Sequence, residues 1–82
     1  MDPTHALALN ARGYAQLRLK NYQAAIADCT LAIRLNPNYA NAYVNRSVAR
    51  RASGDVDGAR NDLHRAVELG ALAQATIKPV GR

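Results

Sequence analysis

Apolar residues recur along the chain in four blocks whose spacing is that of helices. From Ala6 to Leu19, Leu9, Tyr14/Ala15 and Leu17/Leu19 return at about one helical turn, and Gly13 is the only helix breaker among them. Lys20-Asn21 interrupts this block, and Asn21 suits the N-cap of a second helix that begins at Tyr22. In that helix Ala25, Ile26, Cys29, Ala32 and Ile33 form an apolar stripe, and Asn36-Pro37-Asn38 stops it. A third block, Ala40 to Ala52, ends at Ser53-Gly54-Asp55, where Gly54 suits a C-terminal cap and Asp55 an N-cap. The fourth, Val56 to Leu69, carries its stripe on Ala59, Leu63, Ala66 and Val67. Connections this short predict antiparallel neighbours and an all-α fold.

The blocks are related in pairs. Shifted by 34 residues, Ala6–Tyr39 aligns with Ala40–Ala73 and eight pairs are identical: Ala6/Ala40, Ala8/Ala42, Arg12/Arg46, Ala15/Ala49, Ala25/Ala59, Asp28/Asp62, Ala32/Ala66 and Leu35/Leu69. Gly13 pairs with Ser47, Asn21 with Asp55, Tyr22 with Val56, and Cys29 with Leu63. The chain therefore divides into a lead-in over 1–5, repeats over 6–39 and 40–73, and a C-terminal stub over 74–82.

These residues resemble the tetratricopeptide repeat, a helix–turn–helix unit with small residues at fixed places. Gly13 and Ser47 match the small site of helix A, Tyr22 the aromatic that opens helix B, Ala25, Ala32, Ala59 and Ala66 the small sites of helix B, and Pro37 the turn proline. The second unit has Gly70-Ala71 where a proline belongs. The resemblance implies two tandem repeats forming an α-solenoid fragment, followed by a short or continuous C-terminal helix extension.

Composition then takes on a cause. Of 40 hydrophobic residues 17 are Ala, and there is no Phe or Trp. Helices approach closely only where side chains are short, and the recurrence of Ala25, Ala32, Ala59 and Ala66, with Ala15 and Ala49, assigns the excess to helix contacts.

The resemblance also implies a function. In this family the A helices line a concave groove that commonly binds peptides, which maps here onto Leu7, Asn10, Tyr14, Leu17 and Arg18, then Asn41, Val44, Asn45, Val48, Arg51 and Ala52. Tyr14 offers a stacking surface, Asn10 and Asn45 can bridge a peptide backbone, and Arg18 and Arg51 can meet carboxylates. The net charge of +5 favours an acidic partner. Tyr43-Val44-Asn45-Arg46-Ser47 is similar to the second helix of the subgroup that clamps a chaperone's terminal carboxylate. Asn10 and Tyr14, however, stand where that clamp needs Lys and Asn, and a third A helix is lacking, which argues against a chaperone-tail receptor.

Arg46, Arg50 and Arg51 cluster on the third helix with no acidic residue in that helix. Without aromatic platforms or a nucleic-acid motif, the cluster reads as a solvated face or an acidic-peptide contact. Cys29 occupies a core position and reads as a buried, inert thiol. His5 and His64 have no metal spacing, no phosphate-binding glycine loop occurs, and neither enzyme activity, cofactor nor metal is expected. No apolar run is long enough to span a bilayer and no secretory signal opens the chain, so a cytoplasmic location is expected. Two repeats fall below the three usually needed for stability. Self-association through Leu63, Val67, Leu72 and Ile77 is therefore the alternative function.

Overall fold

The computed structural model describes residues 3–70. Four helices follow in order: α1 (Pro3–Arg18), α2 (Tyr22–Leu35), α3 (Ala40–Ala52) and α4 (Val56–Glu68). α1 packs against α2 and α3 against α4, forming two hairpins, and α3 also rests on both α2 and α1. This places α1 and α3 side by side as one layer and gives the first hairpin a second one stacked on it.

The helix ends follow from local chemistry. Pro3 opens α1, where its fixed φ and missing N–H cost nothing. α1 closes in a Schellman turn: the Asn21 N–H donates to the Gln16 carbonyl at 2.8 Å and the Lys20 N–H to that of Leu17 at 3.0 Å. α3 closes identically, with Asp55 N–H to Arg50 at 2.8 Å and Gly54 N–H to Arg51 at 3.1 Å. Both turns need a left-handed residue; Gly54 supplies it at φ 102°, whereas its repeat equivalent Lys20 is held there at φ 67° against its Cβ.

The two N-caps differ. Asp55 caps α4 by accepting from the Gly58 N–H at 2.9 Å, as its sequence position predicts. Asn21 occupies the N-cap position of α2, but its side chain accepts no cap hydrogen bond; its amide nitrogen donates to Gln16 Oε1 at 2.8 Å. α4 stops at Glu68, and Gly70 turns left-handed at φ 90° while its N–H closes on the Val67 carbonyl. α4 therefore does not run on continuously through Gly70. The predicted stub lies outside the described residues.

The core is built of small side chains. Ala6, Ala25, Ala32, Ala42, Ala49, Ala59 and Ala66 are buried, together with Leu9 and Cys29. Ile33, Leu35 and Tyr39 close over Leu9, Ala32 and Ala42 from the side. Ala15 is exposed although its repeat equivalent Ala49 is fully buried, so it is not a helix contact. α3 has the first hairpin to pack on, and α1 has no such neighbour among the described residues.

Gly13 marks the tightest approach of α1 to α2: a Cβ there would stand 2.9 Å from Cys29 Sγ and 3.3 Å from the Ala25 carbonyl oxygen. Gly13→Ala gains roughly 1 kcal/mol of helix propensity but overpacks this contact. A net loss of about 1–2 kcal/mol is expected in chemical denaturation, and unchanged or increased stability would show that the two helices can move apart freely. Lys20→Gly should act in the opposite direction, raising the denaturation midpoint by relief of roughly 1 kcal/mol of left-handed strain.

Candidate functional site

The layer formed by α1 and α3 presents two parallel stripes, one from each helix, and a side-chain hydrogen bond stitches them together. Asn45 Nδ2 donates to Asn10 Oδ1 at 3.0 Å. Asn10 is buried; its own amide donates to the Tyr39 hydroxyl at 3.2 Å, and the Cys29 thiol faces its carbonyl oxygen at 4.0 Å. Asn10 thus braces the floor between the helices with its polar atoms turned inward. Asn45 is half-buried above it, as are Leu17 and Val44. Leu7, Tyr14, Arg18, Asn41, Val48, Arg51 and Ala52 are exposed, and the Arg18 guanidinium lies over the Tyr14 ring, 5.8 Å from its centroid.

The arginine cluster on α3 proves to be divided. Arg46 forms a bidentate pair with Asp62, Nε to Oδ2 at 2.9 Å and a terminal nitrogen to Oδ1 at 2.7 Å. Its other terminal nitrogen donates to Thr30 Oγ1 of α2 at 3.2 Å. Arg50 reaches the same carboxylate at 2.9 Å and approaches Asp55 at 3.8 Å. Only Arg51 of the three has no carboxylate partner among the described residues. The reading of the cluster as a solvated face or an acidic-peptide contact therefore holds open only for Arg51, because α4 folds back and supplies the acid for Arg46 and Arg50.

This bridge recurs one repeat earlier. Arg12 binds Asp28 with Nε at 2.9 Å and a terminal nitrogen at 2.8 Å, and the hydrogen bond and charge of Asp28 raise the Arg12 guanidinium above its ordinary pKa. The surroundings differ, since the Arg12 side chain is 64% exposed and that of Arg46 only 14%. Neither bridge was read from the sequence, although its signal was present: Arg12/Arg46 and Asp28/Asp62 are two of the eight identical pairs.

Every described carboxylate is paired, Asp57 with Arg60 and Glu68 with Arg65 completing the set. The cations left without one among the described residues are Arg18, Lys20, Arg34 and Arg51. Two of these, Arg18 and Arg51, stand at the C-terminal ends of α1 and α3, helices that contain no acidic residue.

Cys29 is fully buried, and burial pushes its thiol up to about 11, with the Arg46 charge working the other way. It stays protonated at neutral pH and presents no nucleophile. Among the described residues no three His, Cys, Asp or Glu side chains gather as a metal site, and no helix is long and apolar enough to cross a membrane. A cavity of about 340 Å³ lies among Asn36, Asn38, Tyr39, Ala40, Asn41, Leu69 and Gly70, meeting the stripes only at Asn41. Of the self-association residues, Leu63 is half-buried and Val67 is 48% exposed on α4. Leu72 and Ile77 lie outside the described residues.

Two helical hairpins stacked through small residues, each tied by an Arg–Asp bridge, define a helical-repeat protein. The family model of the tetratricopeptide repeat matches residues 6–39, so the first hairpin carries a tetratricopeptide repeat. It is 47% identical over 68 residues to RNA polymerase II-associated protein 3 of Xenopus tropicalis, covering 83% of this chain and 10% of that protein. To Hsc70-interacting protein 1 of Drosophila melanogaster it is 42% identical over 69 residues, covering 84% and 18%. To tetratricopeptide repeat protein 36 of Mus musculus it is 43% identical over 65 residues, covering 79% and 35%. The chain thus spans about a tenth to a third of the length of these relatives. No solved structure matches it.

The unequal burial of the two bridges predicts unequal consequences. Asp62→Asn removes the charge that Arg46 and Arg50 share and should destabilise by about 3 kcal/mol, a large part of a small domain's total stability. Asp28→Asn releases only the solvated Arg12 and should cost clearly less. Urea denaturation of both variants checks this, and equal midpoints would show that the burial of Arg46 carries no weight.

Proposed function

We propose that the chain is a protein-interaction module that binds an acidic, partly apolar peptide segment of a partner along the α1/α3 face. The observation that carries this reading is the segregation of charge. α1 and α3 contain no carboxylate, the fold uses Arg12, Arg46 and Arg50 to pair its acids, and Arg18 and Arg51 remain available at one end of the face. Along the same face Leu7, Tyr14 and Val48 leave apolar surface exposed where a peptide's side chains can pack. Asn45 offers an amide for the peptide backbone, held in place by Asn10. The names of two relatives describe association with other proteins, RNA polymerase II in one case and Hsc70 in the other. Protein binding is what this supports for the present chain, and the particular partners stay with those longer proteins.

Self-association is the second reading, favoured by the apolar surface that Val67 leaves open on α4. One experiment separates the two. A fluorescein-labelled peptide rich in glutamate and leucine is titrated with the wild-type chain and with Arg18→Ala/Arg51→Ala, whose side chains hold no bridge in the fold. The groove reading expects saturable binding, weakened about tenfold in the double variant, a loss of about 1.4 kcal/mol, and further weakened by salt. Equal affinity of the two proteins would refute it. Concentration-dependent light scattering that Val67→Asp abolishes, without peptide binding, would establish self-association instead.

A further inference from the structure

We propose that Ser53 is a phosphorylation site for a protein kinase that selects arginines two and three residues before its acceptor, and that phosphate there weakens the adjacent peptide face. The second clause rests on the groove reading above; the first does not.

The segment Arg50-Arg51-Ala52-Ser53-Gly54 joins α3 to α4. Kinases that recognise basic substrates do so through carboxylates in their own clefts that meet guanidiniums at fixed offsets from the hydroxyl, and charge pattern is a main source of their specificity. Here Arg51 is exposed and holds no carboxylate among the described residues, so that its guanidinium is available. Ser53 is exposed, and its hydroxyl makes one exposed hydrogen bond, donated to the Arg50 carbonyl at 3.0 Å, which water can replace. Gly54 follows with φ 102°, and a Cβ built on it would meet nothing within 4 Å, so the approach to the hydroxyl is open on that side. The other hydroxyls near basic groups are less suited. Thr30 is half-buried and accepts from Arg46, and Ser47 is buried with its hydroxyl bonded to the Val44 carbonyl.

A kinase cleft takes its substrate extended, and Arg50 to Ala52 form the last turn of α3. Reaching that geometry opens terminal hydrogen bonds, Ser53 N–H to Ala49, Gly54 N–H to Arg51 and Asp55 N–H to Arg50. Helix ends are among the segments that open most readily. Arg50 resists this opening because Asp62 and Asp55 hold it, so Arg51 is the arginine that can engage first.

In the transfer step Ser53 Oγ attacks the γ-phosphorus of magnesium-bound ATP. The bond from that phosphorus to the β,γ-bridging oxygen breaks, ADP leaves, and the hydroxyl proton passes to the kinase's catalytic carboxylate. The product carries a charge of about −1.5 to −2 two residues after Arg51. Asp55 and the C-terminal dipole of α3 repel it, which turns it toward the guanidiniums of Arg51 and Arg50. The phosphate then occupies Arg51 internally and sets negative charge at the end of the face where Arg18 and Arg51 would meet an acidic peptide.

The test uses the whole folded chain with the catalytic subunit of an arginine-directed serine/threonine kinase and Mg-ATP. Mass spectrometry should find one phosphate, located on Ser53 by fragmentation, absent from Ser53→Ala and incorporated at least tenfold more slowly in Arg51→Ala. The glutamate- and leucine-rich probe should bind the phosphorylated chain about tenfold or more weakly. Failure of the folded chain to accept phosphate, while a synthetic peptide of residues 48–57 does accept it, would overturn the site by showing that the fold closes it. Incorporation indifferent to Arg51→Ala would also overturn it. Equal probe affinity before and after phosphorylation would overturn the regulatory half alone. A probe that never binds removes the groove reading and that half with it, while the mass spectrum still decides the modification site.

Discussion

Arg46 holds the second hairpin closed and ties it to the first. Its guanidinium grips the Asp62 carboxylate in α4, reaches the Thr30 hydroxyl in α2, and lies over the ring of its own helix neighbour Tyr43 at 5.7 Å. One side chain therefore ties three helices. Asp62 in turn holds Arg50, so the charge that a sequence reader assigns to the surface of α3 is mostly withdrawn into the fold. What remains on that helix for a partner is Arg51. The electrostatics of the candidate site are in this sense a remainder, set by which cations the structure does not need.

A directional network of this kind is required because the apolar core is almost featureless. Burying an alanine methyl contributes on the order of 1 kcal/mol, and one alanine face slides over another with little to fix the register. Helices lined by Ala25, Ala32, Ala42, Ala49, Ala59 and Ala66 can come close, but those residues alone do not define where they stop. Gly13 against Cys29 sets the depth in the first hairpin. The bonds of Asn10, Asp28 and Asp62, all buried polar residues, set the register, the buried Ser47 hydroxyl is satisfied within α3, and among the described residues no buried side-chain nitrogen or oxygen lacks a partner. Such a network tolerates little loss, since each of its members left alone would be a desolvated polar group.

The helices and most of their ends were legible in the sequence because they depend on residues close together in the chain. Pro37, Gly54 and Asp55 act where they stand. The end of α1 was legible only as an interruption, since Lys20 takes the left-handed conformation that a glycine signals in the second repeat. The Arg–Asp bridges escaped a local reading because sixteen residues separate the partners and only the hairpin brings them together. Identity between repeats was the trace they left. Repeat symmetry misled where context differs: Ala8 and Ala15 are exposed while Ala42 and Ala49, their equivalents, are buried against the first hairpin. At the candidate site the stripes of α1 and α3 follow from the resemblance to the repeat family, whereas the inward turn of Asn10 does not. It depends on Tyr39 and Asn45, which arrive from the second repeat and the loop before it.

The internal comparison separates what the fold demands from what it leaves open. Positions identical between the repeats include both bridges, the buried alanines of the B helices and the leucine at the end of each B helix. None of the eight falls on the exposed stripe of α1 or α3. There the chain changes chemistry at each step, Leu7 to Asn41, Tyr14 to Val48, Leu17 to Arg51 and Arg18 to Ala52. Two hairpins built to one internal plan thus present a face that is not repeated, with the arginine of the first stripe offset by one residue from that of the second. A ligand with uniform chemistry along its length would be poorly matched to such a face. An irregular one, placing a carboxylate at one end and an apolar side chain by Tyr14 and Val48, would meet a different group at each position, and under the proposed groove reading this asymmetry would also set the direction in which it lay.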